Sequence, residues 1–381
     1  MSEEAGTLLP AWAAWAEPHE LGPYTVGVEE EVMLLDEVSW ALAHRIDSVL
    51  PRLLGRDGSF TAETHGSAVE IQTGVHGTIG GAIEELGALR GELSATLAPL
   101  SMRAASAGTH PFAVWQEIVV SAGERYQFVY GSMRELARRE PTFGLHVHVA
   151  VPGAEDAIHV ANRLRTHIPL LLALSVNSPF WQGRDTGLAS ARTPLFQAFP
   201  RVGIPRDFGD YGDYVESVDV LIRSGAVPEP TFLWWDVRPQ PRFGTVEIRI
   251  MDAQTRLGET AAIAALVQSI VRAEVEEGAH LERWMPQEVL SENRFIAARD
   301  GMDAELIEPE LERRVPAREL LADLVAVCRP HAQDLGCEAE LEGVTELGRQ
   351  TGAQRQIELA RSLESLPRVV GVLASDFLAR A

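Results

Sequence analysis

The sequence predicts an α+β protein: about six strands in the first two thirds, helices over one face of their sheet, and a helical C-terminal portion from about residue 286. Three observations carry that class. Apolar and polar residues alternate with period two in several separated segments, longer 3.6-residue patterns lie between them, and after Pro286 only the helical period persists. Helices gathered on one face of a sheet bury its apolar side, which is what such a pattern demands. With no linker-like, repetitive or low-complexity tract, residues 1–381 read as a single domain.

The strands are expected at Tyr24 to Leu35, Ala68 to Val75, Arg103 to Thr109, Phe143 to Val151, Thr231 to Val237 and Gly244 to Ala253. Helical patterns run over about Ile79 to Leu97, Glu124 to Arg139, Ala154 to Leu174, Tyr211 to Arg223 and Leu257 to Glu277. Side chains two apart in a strand share a face. In YTVGVEEEVMLLD, Val26, Val28, Val32 and Leu34 therefore oppose Glu29 and Glu31; in AVEIQTG, Val69 and Ile71 oppose Glu70 and Gln72. In GLHVHVAV, Leu145, Val147 and Val149 oppose His146 and His148, and in GTVEIRIMD, Val246, Ile248 and Ile250 oppose Glu247 and Arg249. Glu30 falls on the apolar side and needs a partner there, such as an arginine under the helices.

If these strands are neighbours, their glutamates converge on one surface beside two histidines and an arginine. Two like charges 4 Å apart repel by about 4 kcal/mol at an effective dielectric of 20. Hard divalent ions answer that repulsion, and Mg²⁺ with its oxygen ligands would link such a face to the phosphates of ATP. The blander alternative is a solvated face of an antiparallel sheet. Three glutamate-bearing strands in a chain without lysine weigh against it.

Composition narrows the classes further. The 381 residues carry 55 acidic and 33 basic side chains, for a formal net charge of −22, and every basic one is arginine. A lysine-bearing phosphate loop, a Schiff base and a carbamylated-lysine centre are excluded. The acidic balance disfavours nucleic acid as a partner. Cys328 and Cys337 are too few for a disulfide framework and fit a reducing compartment. The acidic N-terminus does not read as a signal peptide, and the longest apolar stretch, Ile168 to Leu174, is far below the roughly 20 residues a bilayer crossing needs. No membrane association and a cytoplasmic location are expected.

The long Gly- and Pro-rich stretch Asn177 to Pro205 reads as a binding loop or lid. Of its arginines, Arg192 is the candidate clamp for a substrate carboxylate or phosphate. Arg294 and Arg355, in later helical contexts, are candidates to reach phosphates over the sheet edge.

The segments GVEEEVMLLD, AVEIQTGV, FGLHVHVAVP, NSPFWQGRDTGLASARTPLFQ, TVEIRIMDAQT, ENRFIAARDG and TGAQRQ, in that order from about Tyr24 to Arg361, resemble glutamate-cysteine ligase type 2, a family of bacterial carboxylate-amine ligases. The resemblance implies a fold like the catalytic domain of glutamine synthetase, with a curved, largely antiparallel sheet forming a funnel and helices outside. It implies that ATP phosphorylates a carboxylate, with glutamate the expected one, and that an amine, cysteine or another, attacks the acyl phosphate to form a γ-glutamyl amide. By matching, Glu29, Glu31, Glu63, Glu70 and Glu247 look like ligands of Mg²⁺, with Mn²⁺ as an alternative. By the same matching, His146 and Arg249 look like phosphate or substrate contacts and are the catalytic candidates; Arg192, from its loop context, joins them, and His148, Arg294 and Arg355 are candidate nucleotide contacts. A homodimer is also implied. A metal-dependent hydrolase on the same face and a non-catalytic nucleotide-binding relative are the competing readings; loss of a metal-holding glutamate is expected to cost activity far more than stability.

Overall fold

The computed structural model describes residues 9–53, 59–139, 141–278 and 285–379. Seven strands form the main sheet: β1 (Val26–Asp36), β2 (Phe60–Ala62), β3 (Ala68–Gln72), β4 (Met102–Ala105), β5 (Leu145–Ala150), β6 (Val237–Gln240) and β7 (Thr245–Ile248). The order is β6-β7-β5-β1-β3-β2, with β4 beside the end of β1, and every pairing in it is antiparallel.

The apolar sides of β1, β3, β5 and β7 form the core as the alternation predicts. Val28, Val32, Leu34, Ile71, Val147 and Ile248 are buried among the helices Ile79–Leu97, Ala154–Ser175 and Leu257–Glu276. These helices begin and end within a residue of the sequence expectation. The first is capped by Thr78, whose Oγ1 accepts the Gly81 N–H at 3.3 Å. Cys328 and Cys337 are both free and buried.

Several expectations need correction. The segment Thr231 to Val237 is not one strand: Pro230–Phe232 makes a 3-10 turn, Trp234–Trp235 pairs in parallel with Val202–Gly203, and the ladder starts only at Val237. Its continuation carries Pro239, which cannot donate to a ladder but is tolerated because β6 is the edge strand. The strands expected to end at Val75, Thr109 and Ala253 end at Gln72, Ala105 and Ile248. Strand β2 and the helix Ile46–Leu53 went unread, and the C-terminal region holds a hairpin, Glu305–Glu308 with Arg313–Pro316, among its helices.

Glu30 meets the partner that its position demands. Its carboxylate takes Arg90 Nε and Nη2, each at 2.8 Å, and both side chains are fully buried. Breaking a buried pair from one side leaves an uncompensated charge. Arg90→Met is therefore expected to lower folding stability by about 3–5 kcal/mol, read from denaturant melts.

The stretch Asn177 to Pro205 is anchored rather than free. Buried Asp252 accepts from Asn177 N at 2.8 Å, Ser178 Oγ at 2.7 Å and Ser190 Oγ at 3.0 Å, tying both ends of the turn to the segment after β7.

Candidate active site

Register decides which polar residues meet. Glu29 lies opposite His146 of β5 and Gln72 of β3; Glu31 lies opposite Glu70; Glu247 lies opposite His148 on one side and Arg238 of β6 on the other. Directly opposed residues share a face, so these five strands present one polar surface. The five glutamates sort into two groups on it. Ligand atoms of Glu29, His146 and Glu247 lie within 4.8 Å of one another, as do those of Glu31, Glu63 and Glu70.

The two groups differ in charge balance. In the first, Glu247 Oε2 receives Arg238 Nε at 3.0 Å, Arg238 Nη2 at 2.7 Å and Gln240 Nε2 at 2.7 Å, while Arg249 Nη1 donates to Oε1. Burial alone would raise the Glu247 carboxyl, but Arg238 and Arg249 outweigh it and hold it well below the usual carboxylate range. Glu29 is held low against the same burial by His148 and His146. His146, pushed down to about 4 by burial and by Arg249, is a neutral imidazole at neutral pH and can serve as a ligand. His148 Nε2 sits 3.3 Å from Glu29 Oε1 and 3.7 Å from Glu247 Oε1, buried and without a hydrogen bond.

The second group is under-compensated: Arg192 and Arg249 favour the Glu31 carboxylate and Arg125 and Arg249 that of Glu63, but not enough. Burial and Glu63 raise the Glu31 carboxyl to about 7, burial raises Glu63, and burial with Glu29, Glu63 and Glu31 raises Glu70 well above its ordinary range. Some contacts do favour the charged forms: Gly144 N–H donates to Glu31, Thr61 Oγ1 to Glu70 at 3.1 Å, and Thr64 N to Glu63 at 2.9 Å. They do not outweigh burial and mutual repulsion. Three carboxylates, Glu70 buried and Glu31 and Glu63 half-buried, that resist ionising together match a hard divalent cation such as Mg²⁺; the mixed nitrogen and oxygen set of the first group suits Mg²⁺ or Mn²⁺.

The arginines divide. Arg192, Arg249 and Arg294 line one narrow crevice together with Asp236 and Trp234. Arg192 differs from the free clamp expected of it: Nη1 donates to Ile250 O at 2.9 Å and Nη2 to Arg249 O at 3.2 Å, so it braces the backbone that carries Arg249. Arg294 is engaged by Asp236, with Nε at 2.7 Å and Nη2 at 3.1 Å, and Asp236 O accepts the Arg249 N–H at 2.8 Å. Arg355 lies elsewhere: its Nη1 is 2.6 Å from Glu259, in a groove lined by Gly343, Glu346 and Gln350 on the helical side. Arg238 and Gln240, which neutralise and orient Glu247, escaped the sequence reading because β6 did.

Gly144 shows how closely these pieces fit. A Cβ there would lie 2.5 Å from Arg192 Nη2 and 3.0 Å from His146 Nε2. Gly144→Ala is expected to keep the fold by circular dichroism while lowering turnover on the order of 10–100-fold, because displacing His146 and Arg249 by even an ångström disturbs alignment.

A cavity of about 510 Å³ opens beside Glu29 and His148, walled by Gly27, Gly74, Val75 and Phe243. Among the described residues, no helix is long and apolar enough to cross a membrane.

The family model for glutamate-cysteine ligase family 2 matches residues 25–370. The chain belongs to that family. A provisionally named glutamate-cysteine ligase 2-1 of Rubrobacter xylanophilus is 43% identical over 340 residues, spanning 88% of this chain and 90% of the relative. A likewise provisionally named ligase of Sorangium cellulosum is 39% identical, spanning 92% and 95%. Among solved structures, a Francisella tularensis glutamate-cysteine ligase in complex with AMP superposes with a TM-score of 0.68 at 14% identity, covering 96% of this chain and 90% of that one. A bifunctional glutathione synthetase of Pasteurella multocida gives 0.67 at 13%, covering 94% and 52%. At such identities these two structures establish the shared fold. As a member of glutamate-cysteine ligase family 2, the chain is a carboxylate-amine ligase, an enzyme that forms a carbon–nitrogen bond.

Proposed function

We propose that the protein uses ATP to join the side-chain carboxylate of glutamate to an amine, cysteine or a related amino compound, through an acyl phosphate. The observation that supports this best is the adjacency of two acidic groups and a nucleotide-sized cavity, with Glu29 belonging to both. His148, which also lines the cavity, is then a nucleotide contact. Expulsion of oxide from a carboxylate is prohibitive at neutral pH, and phosphorylation replaces it with a phosphate leaving group. A carboxylate oxygen attacks the γ-phosphorus and ADP departs; the amine nitrogen then attacks the acyl carbon, loses a proton, and phosphate departs.

Phosphoryl transfer asks the protein mainly for positioning and charge neutralisation. Divalent ions held by Glu29, His146 and Glu247 and by Glu31, Glu63 and Glu70 would neutralise the phosphate oxygens. Arg249 faces the same place, bonded to Glu247 with Nη1 3.4 Å from His146 Nδ1, and is the candidate contact for the transferred group. Arg192 and Arg294 act by holding Arg249 in register. We place the reaction in the cytoplasm, where ATP is supplied.

The test is an incubation of the purified protein with ATP, Mg²⁺ and pools of carboxylates and amines, measuring ADP and condensed masses together. ADP and a new condensed mass are expected to appear only when a matching pair is present. Bond cleavage without ATP would favour a hydrolase, and saturable nucleotide binding with no ADP from any pool would favour a non-catalytic relative.

A further inference from the structure

One buried charged pair is not used by the reaction as described. Glu30 sits between Glu29 and Glu31, and strand alternation sends its carboxylate to the opposite side of the sheet. There it is met by Arg90 through Nε and Nη2, each at 2.8 Å, and by Thr260 Oγ1 at 2.7 Å. The remaining Arg90 donors go to Thr255 O at 2.9 Å, Phe377 O at 2.6 Å and Gln254 O at 2.9 Å. A guanidinium has five N–H donors, and each has an acceptor here.

For stability alone this arrangement is costly. A well-packed apolar pair of similar volume generally serves as well as a buried ion pair or better. What an ion pair adds is a single geometry, because a bidentate fork tolerates neither rotation nor sliding. The segments it joins are telling. Glu29 belongs to the group with His146 and Glu247, Glu31 to the group with Glu63 and Glu70, and Gln254 and Thr255 end the segment that carries Arg249 and Asp252.

We infer that the Glu30–Arg90 ion pair is a positioning device: it pins the middle of β1 to the segment after β7, and thereby sets the spacing between the two carboxylate groups. The inference rests on the reading of those groups as divalent-ion sites. Neither Glu30 nor Arg90 touches substrate or ion; they act through the backbone of their neighbours.

The decisive comparison is the double variant Glu30→Met/Arg90→Met, with Arg90→Lys beside it. Mn²⁺ titration followed by electron paramagnetic resonance gives half-saturation and ion–ion coupling, melting gives stability, and ADP formation in the pooled assay gives turnover. The apolar pair avoids an unpaired charge but takes the Arg90 donor from the Thr255, Gln254 and Phe377 carbonyls, so it is expected to melt below wild type. At a temperature where both proteins are fully folded it is expected to need about 10–100-fold more Mn²⁺ and to lose turnover by a similar factor, the size of effect that supporting residues exert on metal sites. Arg90→Lys, which keeps the charge without the fork, is expected between the two.

A double variant with wild-type Mn²⁺ dependence, coupling and turnover would overturn the inference and leave the pair a structural one. Should the double variant not fold, Arg90→Lys decides on the same readouts, wild-type behaviour again overturning the inference. Wild-type protein that binds no Mn²⁺ overturns the metal-site reading and this inference together, whereas intact wild-type binding beside an unaffected variant overturns this inference alone.

Discussion

Glu70→Gln is expected to abolish turnover and at the same time to stabilise the metal-free protein. The carboxyl of Glu70 is buried with Glu63 and Glu31 and raised well above its ordinary range. The amide cannot ionise, so it removes the cost of keeping this carboxyl among its acidic neighbours in the apo state, and it offers the ion a neutral carbonyl oxygen in place of an anionic carboxylate donor. A metal contributes several kcal/mol to stabilising transition-state charge. At about 1.4 kcal/mol per factor of ten, its loss should lower turnover on the order of 10³-fold.

The pH dependence carries the same sign. Free glutamate titrates near pH 4.3, and burial with Glu63 raises Glu31 to about 7 in the folded chain. Between those values the folded state binds more protons than the unfolded state, so the stability contribution of this group falls as pH rises through the window. Melting of metal-free protein from pH 5 to 8 is expected to show that decline, to show it less in Glu70→Gln, and to show Mg²⁺ restoring stability increasingly toward pH 8. A variant that melts lower than wild type without metal would contradict the assignment of an under-compensated group.

Glu247→Gln is expected to lose both turnover and stability. The Glu247 carboxylate is the shared acceptor of Arg238, Arg249 and Gln240, so a neutral amide leaves the buried Arg238 guanidinium without its counter-charge and takes one from the half-buried Arg249. The cost is about 3–5 kcal/mol by analogy with other broken buried pairs, in addition to lost activity. Denaturant melts and ADP formation on the same preparations separate the two effects. A Glu247→Gln protein as stable as wild type would show that Arg238 and Arg249 are satisfied by other groups.

These two variants also mark what could be read from the chain alone. Alternation in GVEEEV, AVEIQ, HVHV and TVEIRI identified the polar sides correctly, because each strand pairs its glutamates or histidines against unambiguous valine and isoleucine. It also forecast that Glu30 needs a cation beneath the sheet, though not that Arg90 supplies it. Alternation carries no information on order, and it was the order β7-β5-β1-β3 that divided the glutamates into one compensated and one under-compensated group. The sequence alone expects Glu29→Gln or Glu247→Gln to abolish turnover while the protein stays folded; the guanidinium partners of Glu247 add a cost in stability to that expectation. Arg238 lies just past the expected strand end at Val237, in a segment whose prolines at 239 and 241 only an edge strand accommodates. Arg192, expected as a clamp, is bonded through Nη1 and Nη2 to Ile250 O and Arg249 O, and spacing alone does not distinguish a guanidinium aimed at substrate from one holding that backbone.

The most direct test of the central claim is calorimetric titration of a non-hydrolysable ATP analogue into wild-type protein and Glu70→Gln, each with Mg²⁺ and with a chelator. Saturable binding to wild type that requires Mg²⁺ and is strongly weakened in Glu70→Gln is the predicted result. Equal binding with and without the chelator, or in both proteins, would contradict a nucleotide site built on these carboxylates.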